Sequence, residues 1–222
     1  MALAEAPRLY VLAGVNGAGK SSIGGAAFRA FGADYYNPDE AARAFKDANR
    51  GLGQTEANAA AWQQGRRLLE RAIRERLDFA FETTLGARTI PRLLREAAAA
   101  GVEVRVWYAG LASPELHIER VRARVLRGGH DISEADIRRR YEHSRLNLIE
   151  LLPELAALRV FDNSADADPA SGKAPAPTLV LEMERGRITG PSDLSRTPEW
   201  AKPIVAAALK LQPTAILRGT AP

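Results

Sequence analysis

Short apolar runs rich in β-branched and aromatic residues alternate along the chain with longer stretches in which apolar positions recur every three or four residues. The first run, Arg8-Leu9-Tyr10-Val11-Leu12-Ala13, stops at a glycine-rich turn and reads as a buried strand. A helix is predicted over 20–31 and a short second strand over 33–37. Pro38 then suits the first turn of a helix through Glu40 to about residue 45. Residues 49–55 read as a loop, 56–76 as a long helix and 78–82 as a third strand. The alternation continues with a helix over 89–100, a stop at Gly101 and a β-branched strand over 102–108. A further helix opens at Ser113-Pro114-Glu115. Ser133-x-x-Asp136 resembles an N-terminal cap for a helix running to about 155, and 158–161 is the fifth strand. Residues 166–177, rich in Ala, Pro, Asp and Gly, read as a mobile surface loop. A strand pair at 178–183 and 186–189 and a docked helix at 197–211 complete the chain. Strands alternating with helices of this length predict an α/β fold, a parallel sheet with helices on both faces and a small edge strand pair near the C-terminus.

The chain has 222 residues, which fits one domain spanning 1–222, and no internal repeat is visible. Hydrophobic residues make up 46% and charged residues 26%, so the composition is that of a folding globular chain. There is no cysteine, hence no disulfide framework and no cysteine nucleophile, and three scattered histidines do not suggest a zinc site. The formal charge of +4 invites anionic partners without choosing among them. No apolar run approaches the roughly 18 to 20 residues that cross a bilayer. No membrane association and a cytoplasmic location are the expectation.

Gly14-Val15-Asn16-Gly17-Ala18-Gly19-Lys20-Ser21 satisfies G-x-x-x-x-G-K-[ST] between a hydrophobic strand and a helix, the context a phosphate-binding loop requires. Its backbone N–H groups, from Gly14 and Asn16 through Gly17, Ala18 and Gly19, are expected to point at phosphate oxygens beside a helix N-terminus. Lys20 would reach the β- and γ-phosphates of ATP and the Ser21 hydroxyl would ligate Mg²⁺. Ser22 stands last in this nucleotide-binding set and, like Gly24-Gly25, reads more as packing than as ligand. The alternative, a glycine-rich turn with a solvated lysine, fits the full eight-residue match poorly. The loop predicts a P-loop nucleoside triphosphate hydrolase or kinase fold. The sequence carries neither Asn-Lys-x-Asp nor Leu-Ser-Gly-Gly-Gln, which leaves small-molecule kinases in front.

A kinase needs an acceptor site and a lid. Asn37-Pro38-Asp39-Glu40 lies at the C-terminal end of the second strand, where α/β sheets place ligands, and Asp39 is the candidate general base. Glu82 ends the third strand as a metal-side or acceptor-gripping acid, and Thr83, Thr84 and Arg88 are candidate polar contacts to substrate. Arg120, Arg124 and Arg127 form one helical stripe beside the apolar Ile118, Val121 and Val125. In the next helix the angular argument puts Arg140 at the edge of the inward face and Arg139 outward. Residues of about 120–145, with Gly128-Gly129 as a flexible joint, would then be a lid whose arginines close on a triphosphate. A solvated basic surface and a nucleic-acid groove are the weaker readings of the same arginines.

These motifs, together with Phe-Glu-Thr-Thr-Leu at 81–85, Arg-Gly-Gly-His-Asp-Ile at 127–132, Arg-Arg-Tyr-Glu-His-Ser at 139–144 and Asp-Asn-Ser at 162–164, resemble the zeta toxin family, above all its compact branch. The resemblance spans roughly residues 8–190. It implies a P-loop kinase that moves the ATP γ-phosphate to a hydroxyl of a UDP-activated amino sugar such as UDP-N-acetylglucosamine, with an antitoxin protein as partner. By motif it assigns Asp39 as base and Glu82 with Thr83 or Thr84 to the sugar nucleotide. It assigns Arg127 and one of Arg139 or Arg140 to the lid, and Asn163 and Ser164 to the neighbourhood of the adenine. The chain departs from the large toxins in its short acceptor half, so a different small phosphoacceptor, or an ATPase with a regulatory or nucleic-acid-associated role, stays open.

Overall fold

The computed structural model describes residues 5–20, 23–24, 34–165 and 176–212. Most of the helix read over 20–31, with Ser21 and Ser22, and most of the loop read over 166–177 therefore lie outside the described residues. Seven strands form one sheet: β1 (Arg8–Ala13), β2 (Asp34–Tyr36), β3 (Phe79–Thr83), β4 (Glu103–Gly110), β5 (Ala157–Asp162), β6 (Thr178–Glu184) and β7 (Arg187–Gly190). Their spatial order is β2-β3-β1-β4-β5-β6-β7. The first five are parallel; β6 and β7 add as an antiparallel pair at one edge, as the sequence pattern predicts. β1 is central and buried, flanked by β3 and β4 in a register that brings Ala13 beside Thr83 and Tyr108. The ends of three strands thus meet where the glycine-rich loop begins.

The helices are α1 (Pro38–Ala48), α2 (Gln54–Glu75), α3 (Thr89–Ala99), α4 (Pro114–Val125), α5 (Glu134–Leu151) and α6 (Lys202–Lys210). Their starts follow from local chemistry. Asn37 caps α1, its side-chain oxygen accepting from the N–H groups of Asp39 and Glu40, with Pro38 in the first turn. Ser113 and Ser133 cap α4 and α5 in the same way. Three expectations need correction. Asn37 is a helix cap rather than the last strand residue. The helix expected to reach about 155 stops at Leu151, because Pro153 has no N–H for the ladder, and Leu152–Glu154 tightens into a 3₁₀ turn. The helix read over 197–211 is a 3₁₀ turn, Glu199–Ala201, followed by α6, with Pro203 in the first turn.

The main core lies between the sheet and α3, α5 and α6, with Leu9, Val11, Phe81, Val106, Leu148 and Ile204 among its buried members. A smaller cluster joins Val15 of the loop to Ile118 and Val121 of α4 and Ile137 of α5, so the candidate lid helices are packed onto the candidate phosphate loop itself. Among the described residues, no helix is long and apolar enough to cross a membrane.

Candidate active site

Residues 14–20 leave β1 through backbone conformations that only glycine adopts cheaply. Gly14 has φ +139°, and a Cβ there would stand 2.3 Å from the Ala109 carbonyl oxygen. Its N–H donates to Thr83 O at 3.2 Å, which ties the loop to the end of β3. Gly19 has φ +76°, and a Cβ there would strike Asn163 Nδ2. That amide donates instead to Ala18 O at 2.9 Å, while the Asn163 carbonyl accepts from Arg120 at 2.8 Å. Asn163 and Arg120 are thereby engaged in bracing the loop against the end of β5. Ser164 Oγ accepts from Ala112 N at 2.8 Å and bonds Asp162. The Lys20 ammonium donates to Gly14 O at 3.0 Å. Burial lowers its pKa, while Glu82 and Asp39 pull it back up.

His117 is a residue that the sequence reading passed over. It is buried in α4, and its Nδ1 lies 2.9 Å from Asn16 O. A carbonyl only accepts, so Nδ1 carries the proton. Desolvation outweighs that bond and pushes the ring's pKa down to about 4, keeping it neutral at pH 7. The Asn16 side chain faces α5, where its Oδ1 accepts from Arg140 Nη1 at 2.7 Å. Arg139, next in sequence, points outward to pair with Asp136 of its own helix at 2.5 Å. The only available signal for His117 was a histidine beside the apolar stripe of α4, a pattern that an ordinary core histidine shares.

The acids converge from two other elements. Glu82 is buried at the end of β3, where its Oε1 accepts from Tyr35 OH and, at 3.2 Å, from Asn37 Nδ2. Asn37 thus caps α1 with its oxygen and holds Glu82 with its nitrogen. Asp39, half-exposed in the first turn of α1, faces Arg124 Nη1 at 3.6 Å and His130 Nε2 at 3.9 Å. Arg124 also donates to His130 O at 3.1 Å, and its Nε is buried without a partner among the described residues. Burial lowers the His130 pKa, Asp39 opposing. Gly128 (φ +88°) and Gly129 close α4 with N–H groups bonded back to Val125 O and Arg124 O, so the expected joint is a helix cap.

Two cavities open on either side of Asp39. The first, about 930 Å³, is lined by Gly17, Gly19, Lys20, Arg120, Arg124 and Arg127. The second, about 490 Å³, is lined by Thr83 and Thr84, Arg140 and, across from them, Tyr36, Trp62 and Arg66. Asn16, Asp39, Glu82 and His130 border both. Thr83 and Thr84 use their hydroxyls to accept from Leu85 N and Gly86 N, shaping a turn that Ser144 and Asn147 of α5 bind from behind. Arg127 is exposed at the rim, donating to Ala123 O. Arg88 is exposed before α3 and lines neither cavity. The structure therefore brings together Asn16, Gly17, Gly19, Lys20, Asp39, Glu82, Thr83, Thr84, Arg127 and Arg140, and leaves Arg88 apart.

A polyanion-sized cavity bordered by a left-handed glycine loop and a desolvated lysine can be set against known proteins. A family model described as an AAA domain matches residues 9–144, more than half of the chain. The chain belongs to that AAA domain family. Over 132 residues the AAA domain chain is 30% identical to an uncharacterized protein of Haemophilus influenzae, an alignment taking in 58% of this chain and 88% of the relative. The solved complex of AvrRxo1-ORF1 and AvrRxo1-ORF2, determined with sulphate ions and with ATP, superposes at TM-score 0.64 and 15% identity. It covers 91% of this chain and 63% of that one, so the AAA domain chain spans less than two thirds of that neighbour's length. A structure from the PezAT chromosomal toxin-antitoxin system of Streptococcus pneumoniae superposes at TM-score 0.54 and 16% identity, covering 94% of this chain and 86% of that one. At such identities the likeness shows the fold: a P-loop kinase-like sheet with its helices.

Proposed function

We propose that the chain is an ATP- and Mg²⁺-dependent small-molecule kinase of zeta-toxin type, one domain over 1–222 with residues of about 120–145 as its lid. The phosphates would enter the first cavity and a hydroxyl-bearing acceptor the second. The observation that carries this reading is the position of Asp39 on the border of both cavities, with Lys20 and Arg124 on the phosphate side. The acceptor implied by the zeta toxin resemblance is a UDP-activated amino sugar such as UDP-N-acetylglucosamine, and the toxin-antitoxin setting of the PezAT neighbour supports an antitoxin as protein partner.

In this reading Asp39 takes the proton of the acceptor hydroxyl as its oxygen attacks the γ-phosphorus. The bond from the γ-phosphorus to the β,γ-bridging oxygen breaks, ADP leaves, and the phosphoryl group ends on the acceptor. Lys20, with Arg124, Arg127 and Arg140, would stabilise the charge spread over the transferring oxygens. The loop fits a triphosphate because its desolvated lysine is satisfied, among the described residues, only by a backbone carbonyl. Mg²⁺, held by phosphate oxygens and the Ser21 hydroxyl, would neutralise further charge; no dedicated cluster of His, Asp and Glu is required, and none is present among the described residues. Thr83, Thr84 and Glu82 would orient the acceptor. Arg88 would join them only from outside the cavity, and Asn163 would support the nucleotide through Ala18. A cytoplasmic location goes with the use of ATP.

The ATPase reading with a nucleic-acid partner rests on the basic balance and the arginine-rich helices. The structure pairs several of these arginines internally, Arg122 with Glu134, Arg138 with Glu115 at 2.6 Å and Arg139 with Asp136, which argues against a free basic groove on α4 and α5. The deciding experiment incubates the protein with Mg²⁺ and ATP against UDP-sugars, free sugars and nucleosides, with products read by mass. Transfer is expected to vanish in Lys20→Ala and to fall by about 10² to 10⁴ in Asp39→Asn with ATP still bound. ATP consumption independent of every acceptor, or normal transfer by Asp39→Asn, would refute the assignment.

A further inference from the structure

Arg140 is held in a way that differs from the surface arginines of α4 and α5. Arg122, Arg138 and Arg139 each pair with a carboxylate on the outer surface. Arg140 donates one Nη1 bond, at 2.7 Å, to a neutral acceptor, the Asn16 side chain. Its remaining donors have no partner among the described residues. A guanidinium anchored through one N–H to a neutral amide keeps its full charge and the rest of its donor fork for an anion. Burial lowers its pKa from the usual arginine value, with Asp136 and Asp39 opposing, which marks a cation short of compensation.

Both ends of this arrangement are fixed. The stem of Arg140 runs against Gly86, where a Cβ would stand 2.8 Å from Arg140 Cγ and 3.2 Å from its Cα. Asn16 is itself buried, and its backbone carbonyl is bound by His117 from α4. One residue of the phosphate loop therefore holds both candidate lid helices, α4 through its main chain and α5 through its side chain. The two contacts differ in kind: the first sets the loop's path, the second sets where a cation stands relative to that path.

We infer that Asn16 is a positioning residue for Arg140, placing its guanidinium so that it recognises the terminal phosphate of a nucleoside triphosphate in the loop. The inference rests on the kinase reading of the two cavities, with the terminal phosphate at their shared border, where Asn16 lines both and Arg140 lines the second, and it assigns to Asn16 a task beyond lining the phosphate site. Its consequence is discrimination: a residue that acts through Arg140 governs the preference for ATP over ADP, whereas one that only supports the loop governs the affinity for both alike.

The test is calorimetric binding of Mg·ATP and Mg·ADP, so no acceptor is needed. Arg140→Ala is expected to lower the ATP-over-ADP affinity ratio by about tenfold, the usual worth of a charge-assisted hydrogen bond to phosphate. Asn16→Ala is expected to lower it by a similar factor, and the double variant no further. Gly86→Ala, which displaces Arg140 from the other side, should reproduce the loss. His117→Ala should weaken both nucleotides together and leave the ratio in place. Additive losses in the double variant, or an Asn16→Ala that loses ATP and ADP equally, would overturn the positioning role while leaving the lid arginine intact. If Arg140→Ala leaves the ratio unchanged, the lid-arginine part of the proposed function falls, and this inference with it.

Discussion

The phosphate loop and the wall of the second cavity opposite it are built on different principles. The loop is held residue by residue: Gly14 by Thr83, Asn16 by His117 and Arg140, Ala18 by Asn163, with Val15 packed among Ile118, Val121 and Ile137. The wall is the α1–α2 hairpin, joined through the small residues Ala42, Ala57 and Ala61 with Phe45 and Leu52 partly buried beside them. Its cavity-facing side chains Trp62 and Arg66 are each 39% exposed, Arg66 lying over the Trp62 ring and paired with Glu70. Directional bonds to buried polar groups specify one geometry, because each one broken leaves a desolvated orphan. Contacts between alanines specify only a distance. Under the proposed function the nucleotide side is therefore over-determined and the acceptor side adjustable, which is the division expected where chains of one fold share a donor and differ in acceptor.

The most damaging change to the loop is Gly14→Ala. It combines a left-handed backbone with a Cβ placed 2.3 Å from a backbone oxygen of β4, and neither partner is a side chain that can turn away. A loss of about 3 kcal/mol or more is expected in denaturant unfolding. A loss under about 1 kcal/mol would show that the loop relocates freely and that the contrast with the α1–α2 wall is false.

Acid tests the same bracing more gently. The folded pKa of His117, about 4, lies below the ordinary value of 6.5, so between these limits the unfolded chain binds more protons than the folded one. Stability should hold above pH 6.5 and fall as pH drops towards 4, by up to about 3 kcal/mol from this group. His130, also lowered by burial, adds in the same direction. His117→Asn keeps a donor for Asn16 O without a titrating ring, and should flatten the slope between pH 6.5 and 5 relative to the parent chain. An unchanged slope would mean that His117 does not report on the loop.

How much of this was legible follows the same division. Gly14 to Lys20 could be read because a phosphate loop is a contiguous motif, and Arg140 because helical angle alone separates it from Arg139. Asp39 and Glu82 could be read because strand ends in a parallel sheet converge. The bracing could not: that Asn163 spends its amide on Ala18, or that Tyr35 binds Glu82, depends on which strands are neighbours, and β1 lies between β3 and β4 rather than beside β2. Trp62 and Arg66 carry no signal of their own within the long helix, since nothing in their spacing tells which way α2 leans. The break at Pro153 shows the opposite case, a local signal overlooked inside a strong apolar pattern.

The smallest effect is expected in the wall, and it bears most on function. Ala57 is fully buried between α1 and α2, and Ala57→Val adds two methyl groups to a contact with no room for them. The helices can separate, because the bonds that hold α2 to β2 run through the Tyr36 hydroxyl, to Ala61 O at 2.5 Å and Gln64 at 3.1 Å, four residues or more along the helix. The cost in stability should be about 1 kcal/mol, at the low end for overpacking. The displacement should be felt at Trp62, five residues on and facing the second cavity. With any acceptor that the protein phosphorylates, KM for the acceptor is expected to rise several-fold while KM for ATP stays within about twofold, since the phosphate loop is braced from β5, α4 and α5 and not from α2. Equal changes in both constants would mean that the two cavities share one frame, and that the freedom assigned to the acceptor side is not there.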